Sequence, residues 1–195
     1  MISMPKLVLA SASPRRAEIL RNIGWPFEAI VANADESRHA GEDAPTYVKR
    51  VARLKAEAVA QLTPGMTVVG ADTVVVVDGE ILGKPRDPED ARRMLRQLQG
   101  RRHEVLTGLA VFNGRATEPR VAHQVTEVEF ASMSEEEIDW YISSGEPMDK
   151  AGAYAIQGRG AMFIDEIAGN YHNVVGLPIP LVYRLAKRLG YHFIT

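Results

Sequence analysis

Four short stretches of this sequence bring together residue types that chemistry needs close to one another. In Ser11-Ala12-Ser13-Pro14-Arg15-Arg16, the apolar run Leu7-Val8-Leu9-Ala10 hands the chain to Ser13-Pro14, an N-cap followed by a proline at the first helical position. Free N–H groups and the positive end of a helix dipole meet at such a start, and two guanidinium groups add forked donors that suit phosphate oxygens. The same residues also describe a plain serine cap with two solvated arginines. Gly70-Ala71-Asp72-Thr73-Val74 sets a carboxylate between two strongly apolar β runs. Burial there is costly unless the group is paired or holds a cation, so Asp72 calls for Mg²⁺ or for a water whose proton it takes. It reads equally well as a turn aspartate between two strands.

The third stretch, Glu80-Ile81-Leu82-Gly83-Lys84-Pro85, places Lys84 directly after a strand. It is either a mobile point charge for phosphate or an ordinary solvated lysine, and Lys55 has the same two readings. Asp35 and Glu36 lie in an acidic loop, where they can join Asp72 around a divalent ion or simply face water. In the fourth stretch, Asp149 to Gly158, two glycines frame Tyr154 and Gln157. Close backbone approach to a flat ligand and an amide offering both a donor and an acceptor would suit a nucleobase, whereas a glycine-rich connection around a core tyrosine is the plainer reading.

The elements that must position these residues follow from periodicity and punctuation. Strands are expected at Leu7 to Ala10 and Phe27 to Val31, with a helix from Ser13-Pro14 to Gly24 between them and a polar loop from Asn33 to Asp43 after them. From Pro45 the residues Tyr47, Val51, Leu54, Ala58 and Leu62 mark an apolar helical stripe with Lys55 at its edge. Two β runs, Thr67 to Ala71 and Val74 to Val77, are interrupted by Asp72-Thr73. Asp78-Gly79 then turns the second run into a hairpin of type I′. A helix after Asp87-Pro88 buries Ala91, Met94, Leu95 and Leu98, and strands at Glu104 to Phe112 and Val121 to Phe130 meet at a turn around Asn113-Gly114. Ser134 to Glu137 is a capping box, Met162 to Ile167 and Tyr171 to Val174 read as a last pair of strands, and Pro178 opens a terminal helix. This pattern is α/β, a mixed twisted sheet flanked by helices, within one domain of residues 1–195 bent into two lobes around a central cleft.

Composition excludes several classes. Lys+Arg 23 against Asp+Glu 25 leaves a net charge of −2, which argues against a partner that is a nucleic acid polymer. With 46% hydrophobic residues a full core is expected, and with no cysteine a disulfide framework or thiolate zinc site is impossible. The start of the chain is too weakly apolar for a signal peptide or membrane span, so a cytoplasmic protein with no membrane partner is expected. The histidines at 39, 103, 123, 172 and 192 lack metal-ligand spacing and are taken as structural or surface groups. No P-loop, dinucleotide-binding or nucleophile-elbow motif occurs.

Taken together, LASASPRR at Leu9 to Arg16, GADTVV at Gly70 to Val75, ILGKPRD at Ile81 to Asp87 and SGEPMDKAGAYAIQG at Ser144 to Gly158 resemble the Maf family of nucleoside triphosphate pyrophosphatases. The resemblance runs from Leu7 through YHNVVGLP at Tyr171 to Pro178. It implies an inosine-triphosphatase-like fold, a divalent cation such as Mg or Mn, and hydrolysis of a nucleoside triphosphate to monophosphate and pyrophosphate, with room for a homodimer. The subgroup it resembles most is associated with dTTP and UTP. On matching positions the resemblance implies Asp72 as proton acceptor, Arg15, Thr73 and Gln157 as specificity residues, Ser13, Arg16, Lys55 and Lys84 as phosphate contacts, and Asp72 with Glu36 toward the metal. Competing readings are a pyrophosphatase for methylated or non-standard purine nucleotides, a nucleotide-binding regulator of cell division or septum formation, and an acidic hydrolase built on Glu36 and Asp72.

Overall fold

The computed structural model describes residues 4–113 and 118–191. The first crossovers follow the sequence closely. Strand β1 (Leu7–Ala10) leads into α1 (Pro14–Asn22), β2 (Phe27–Ile30) and α2 (Ala44–Leu62), and β1 pairs in parallel with both β2 and β3 (Thr67–Val77). Parallel pairing requires such crossovers, and α1 and α2 supply them. Asp78 and Gly79 have φ of 50° and 78°, the two positive values of a type I′ turn, and they fold β4 (Glu80–Leu82) back onto β3. Helix α3 (Pro88–Leu98), strands β5 (Arg102–Phe112) and β6 (Arg120–Phe130), and α4 (Glu135–Ser143) follow. The chain then passes through short 3₁₀ turns to β7 (Ile164–Ala168), α5 (Tyr171–Val175) and α6 (Ile179–Arg188). The seven strands form one mixed sheet in the order β2-β1-β3-β5-β6-β7, with β4 on β3. Among the described residues no helix is long and apolar enough to cross a membrane.

The chain divides into two compact units, one from Met1–Asp72, Thr107–Gln124 and Gly176–Thr195, the other from Thr73–Leu106 and Val125–Val175. In the first unit the core joins Val8, Ala10, Val68 and Ala110 to Ala52, Ala56 and Val59 of α2. Its small side chains are a steric requirement. A Cβ added at Gly70 would lie 2.2 Å from the Ala52 carbonyl oxygen, and one at Gly108 would lie 2.1 Å from that of Val48. The helix backbone presses directly on the strands, so the buried stripe is Val48, Val51, Ala52, Lys55, Ala56 and Val59. Of the expected stripe Tyr47, Val51, Leu54, Ala58 and Leu62, Val51 is buried, Tyr47, Leu54 and Ala58 are half-buried and Leu62 is exposed, because the stripe followed bulk where the close approach selects small residues. Lys55 lies within the buried face and not at its edge.

The second unit packs larger side chains, among them Leu95, Leu98, Phe130, Ile138, Tyr141 and Phe163. Helix α3 starts with the Asp87 carboxylate accepting from the Asp90 amide, and α4 starts with the expected capping box of Ser134 and Glu137. Two expectations fail in local structure. Asp72-Thr73 does not break the β run, for β3 is continuous through it. Tyr171–Val175 is helical, because the Asn170 side chain accepts from the Asn173 amide and caps a helical turn. Asn173 itself is buried and donates to Val105 O and Thr126 Oγ1, contacts that override the β propensity of Val174 and Val175. Gly114, half of the expected β5–β6 turn, lies outside the described residues.

Candidate functional site

Asp72 is buried in the middle of β3, where the sheet ladder fixes its backbone. Its Oδ1 accepts from Lys55 Nζ at 2.8 Å, and the same ammonium reaches Glu36 Oε2 at 2.9 Å. Lys55 is itself buried, which is tolerable because two carboxylates converge on it. The Glu36–Lys55–Asp72 group thus joins three of the residues singled out in the sequence, one each from a loop, a helix and a strand.

Glu36 is held in place by residues the sequence reading passed over. Tyr47, taken there for core, donates its hydroxyl to the Glu36 carbonyl oxygen at 2.8 Å. Arg50 makes a two-pronged contact with Glu42, Nε to Oε1 at 2.7 Å and Nη2 to Oε2 at 2.8 Å, and also donates to Ser37 O at 2.8 Å. The acidic loop is therefore fastened along α2. Hydrogen bonding from Arg50 holds the Glu42 carboxyl at about 2, and burial together with the nearby negative charge of Asp72 and Glu36 pushes the Tyr47 phenol up to about 12. Tyr47 and Arg50 sit three residues apart on α2, a spacing that places them on one face, and this was the available signal. Asp35 does not join Asp72. Its carboxylate accepts from the Ser37 amide at 2.9 Å and shapes its own loop, and hydrogen bonding from Ser37, through its side chain first and its amide second, lowers its pKa.

At the start of α1, Ser13 occupies the N-cap position but makes no side-chain cap hydrogen bond. Its amide donates to Ser11 Oγ at 3.1 Å, so the expected serine cap does not form and the hydroxyl is not used on the helix. Arg16 is not solvated either. It is 8% exposed, donates through Nε to Gly176 O at 2.7 Å and through Nη1 to Ala71 O at 2.9 Å, and also reaches Ser11 Oγ. Burial lowers its pKa, while the charge of Asp72 opposes that shift. Arg16 thus clamps the strand residue that precedes Asp72. Arg15 is half-buried on the same first turn.

In the second unit, Thr73 is half-buried on β3 and Lys84 is exposed after β4. The Gly83 carbonyl accepts from the Gly152 amide at 3.0 Å, which ties the Lys84 turn to the Gly152–Gly158 stretch. A Cβ at Gly152 would lie 2.7 Å from Val75 Cγ2, so glycine is needed for that approach. Tyr154 does not face a ligand. It is buried, its hydroxyl meets His103 Nε2 at 2.8 Å, and its ring meets Phe130 edge-on at 4.7 Å. Gln157 differs, because its Oε1 is buried without a hydrogen-bond partner. An orphaned acceptor of this kind suits a donor from outside the protein.

Among the described residues no group of three or more His, Cys, Asp or Glu side chains is placed to hold a metal ion. Glu36 and Asp72, aimed at one cation, are the pair able to do so if phosphate oxygens and water complete the shell, as Mg²⁺ prefers.

Comparison with known proteins places this geometry in context. The family model described as Maf-like protein matches residues 6–189. A curated protein of Symbiobacterium thermophilum named dTTP/UTP pyrophosphatase is 50% identical over 192 residues, 98% of each chain. Proteins of the same name from Anaeromyxobacter dehalogenans and Salmonella typhimurium are 53% and 49% identical, over 96% of this chain in each case and 95% and 94% of theirs. Among solved structures, the Ham1 protein of Staphylococcus aureus matches with a TM-score of 0.54 at 16% identity, covering 94% of this chain and 99% of that one, a likeness of fold.

Proposed function

The chain belongs to the Maf family, and from that premise we propose that it hydrolyses dTTP and UTP to the nucleoside monophosphate and pyrophosphate. The observation that carries the reading is the Lys55 ammonium shared by Glu36 and Asp72 at 2.9 and 2.8 Å, with the buried Arg16 guanidinium bonded to the adjacent Ala71 carbonyl. Such an arrangement is charged, with Lys55, Asp72 and Arg16 buried and Glu36 exposed to solvent, and charge fixed in place beforehand is what phosphoanhydride chemistry requires.

In the proposed reaction water attacks the α-phosphorus and the bond from that phosphorus to the bridging oxygen breaks. Asp72 accepts the water's proton and pyrophosphate leaves. Lys55 orients Asp72 for that transfer. Arg15, Arg16, Lys84 and the first turn of α1, with the Ser13 hydroxyl, meet the negative charge of the triphosphate. Glu36 and Asp72 would hold a divalent cation, which when bound supplies charge neutralisation and a more acidic water. A cytoplasmic setting suits this reading, because nucleoside triphosphates are cytoplasmic metabolites.

Gln157 reads the base. Uracil and thymine offer N3–H beside a carbonyl, which the amide matches with its Oε1 acceptor and NH₂ donor. Cytosine carries an acceptor at N3 and an amino donor beside it, so an amide held in the orientation that suits uracil would meet acceptor with acceptor and donor with donor, leaving Oε1 unpaired. Thr73 adds a hydroxyl contact. One unpaired buried group costs on the order of 1–3 kcal/mol, so UTP is expected to exceed CTP in kcat/KM by about 10- to 100-fold. Pyrophosphate release from dTTP, UTP, CTP, GTP and ATP, with and without Mg²⁺ or Mn²⁺, tests the proposal. Gln157→Glu should penalise UTP and dTTP and favour guanine, which offers two donors. A parent enzyme that prefers GTP, or a Gln157→Glu ranking identical to the parent's, overturns the assignment.

A further inference from the structure

Gln157 lies in a short arch, and both ends of the arch are fastened to one pair of side chains. On the upstream side the Ala155 amide donates to the Tyr141 hydroxyl at 3.1 Å, and that hydroxyl donates to Glu146 Oε1 at 2.8 Å. On the downstream side the Arg159 amide donates to Glu146 Oε2 at 3.0 Å and the Gly160 amide to Glu146 Oε1 at 3.0 Å. The anchored amides thus lie two residues before Gln157 and two and three residues after it. Tyr141 has no exposed surface and belongs to the core, so α4 holds the hydroxyl rigidly.

The glycines of the arch exist for this clamp. A Cβ on Gly158 would lie 2.6 Å from Glu146 Oε2, and Gly158 has φ of +114°, a region side chains rarely adopt. A Cβ on Gly160 would lie 2.6 Å from the Tyr141 hydroxyl and 2.5 Å from Ala155 O. The carboxylate and the phenol therefore occupy the space that side chains at these two positions would fill. Burial alone would raise the Glu146 pKa, but the two amides and the Tyr141 hydroxyl outweigh it and hold it low, so the group stays a three-fold acceptor.

We infer that Glu146 and Tyr141 are positioning residues for base selection: they set where the Gln157 amide sits, and thereby how strictly uracil and thymine are separated from cytosine. This rests on the reading of Gln157 as the base reader. Neither residue need touch the nucleotide. An acceptor displaced by about 1 Å loses most of its hydrogen bond to N3–H, while dispersion contacts to any base survive, so a loosened arch costs discrimination more than it costs general activity.

The test uses the full chain and three single variants. Tyr141→Phe keeps the ring in the core and removes the hydroxyl, Glu146→Gln turns an acceptor toward the amides into a donor, and Gln157→Ala removes the reader itself. The quantity read is the ratio of kcat/KM for UTP to that for CTP, because a merely structural defect lowers both and leaves the ratio unchanged. Tyr141→Phe and Glu146→Gln are each expected to lower the ratio about fivefold or more, approaching the Gln157→Ala value. Hydrogen exchange provides a measure independent of nucleotide. Protection of the Ala155 amide should fall in Tyr141→Phe, and in Glu146→Gln protection should fall at whichever of the Arg159 and Gly160 amides then faces the new NH₂ group. If Gln157→Ala collapses the ratio while both clamp variants keep the parent's, the inference is overturned and the base reader stands. Unchanged exchange at these amides also overturns the clamp. If Gln157→Ala itself leaves the ratio intact, the base-reader reading falls and the inference with it.

Discussion

The two compact units hold their polar groups by opposite means. In the first, charged side chains come from regular elements pressed together at backbone distance: Lys55 from α2, Asp72 from β3, Arg16 from α1. In the second, the polar group of interest, Gln157, hangs on a glycine-rich arch between 3₁₀ turns and is placed by hydrogen bonds to Glu146 and Tyr141. The difference matches the proposed tasks. Phosphoryl chemistry requires fixed charge in a desolvated place, which helices and strands supply, whereas reading a base edge requires one amide aligned within tenths of an ångström, which a clamped loop can supply.

The contrast between the two units is sharpest at Asp72. Asp72→Asn keeps the shape of the side chain and removes its basicity, so hydrolysis of every nucleotide should fall by about 100- to 10,000-fold, with the ratio of UTP to CTP in the residual activity preserved. Pyrophosphate release on both nucleotides checks this, and a changed ratio would blur the division of tasks between the units.

A second test addresses the core of the second unit, which keeps a titratable group neutral where the first unit keeps charged groups paired. His103 is buried, hydrogen-bonded to Tyr154 through Nε2, and desolvation lowers its pKa to about 4. The unfolded chain takes up the proton near 6.5, so it binds more protons than the folded state between those values, and stability falls as pH drops through that window. The expected loss is about 3 kcal/mol across the window. His103→Gln keeps a hydrogen-bonding group for Tyr154 but does not titrate. Thermal unfolding from pH 7 to 4 should show a flatter acid limb for that variant, and parallel limbs would remove His103 as the cause.

The smallest effect concerns the close approach in the first unit. Gly70→Ala drives a Cβ to 2.2 Å from the Ala52 carbonyl oxygen, and α2 must back away, taking Lys55 with it. Overpacking of this kind costs about 1–3 kcal/mol of stability. Activity should fall equally on UTP and CTP, because the arch carrying Gln157 is untouched. A lowered melting temperature with a shifted UTP to CTP ratio would contradict the separation.

Much of this was legible in local sequence because its causes are local. Proline and aspartate at helix starts, the Asp78-Gly79 turn, the Ser134 capping box and the β-branched runs each act within a few residues. Asp72 was recognisable as a carboxylate out of place in apolar surroundings, and four ordered motifs carried the family resemblance. What remained hidden depended on partners far along the chain. Whether Asp72 interrupts a strand or sits within one, which face of α2 is buried, and whether Tyr154 faces a ligand or the core were each decided by packing between elements. The helical turn at Tyr171 was settled by Asn173 donating to Val105 and Thr126. The sequence by itself thus determined the elements, their caps and the identity of the reactive groups, since short-range sterics and hydrogen bonds suffice for those. Only the tertiary structure decided that Glu36, Lys55 and Asp72 share one charge centre and that Glu146 and Tyr141 close on the arch of Gln157, because such contacts form only when the core brings distant segments within hydrogen-bond reach.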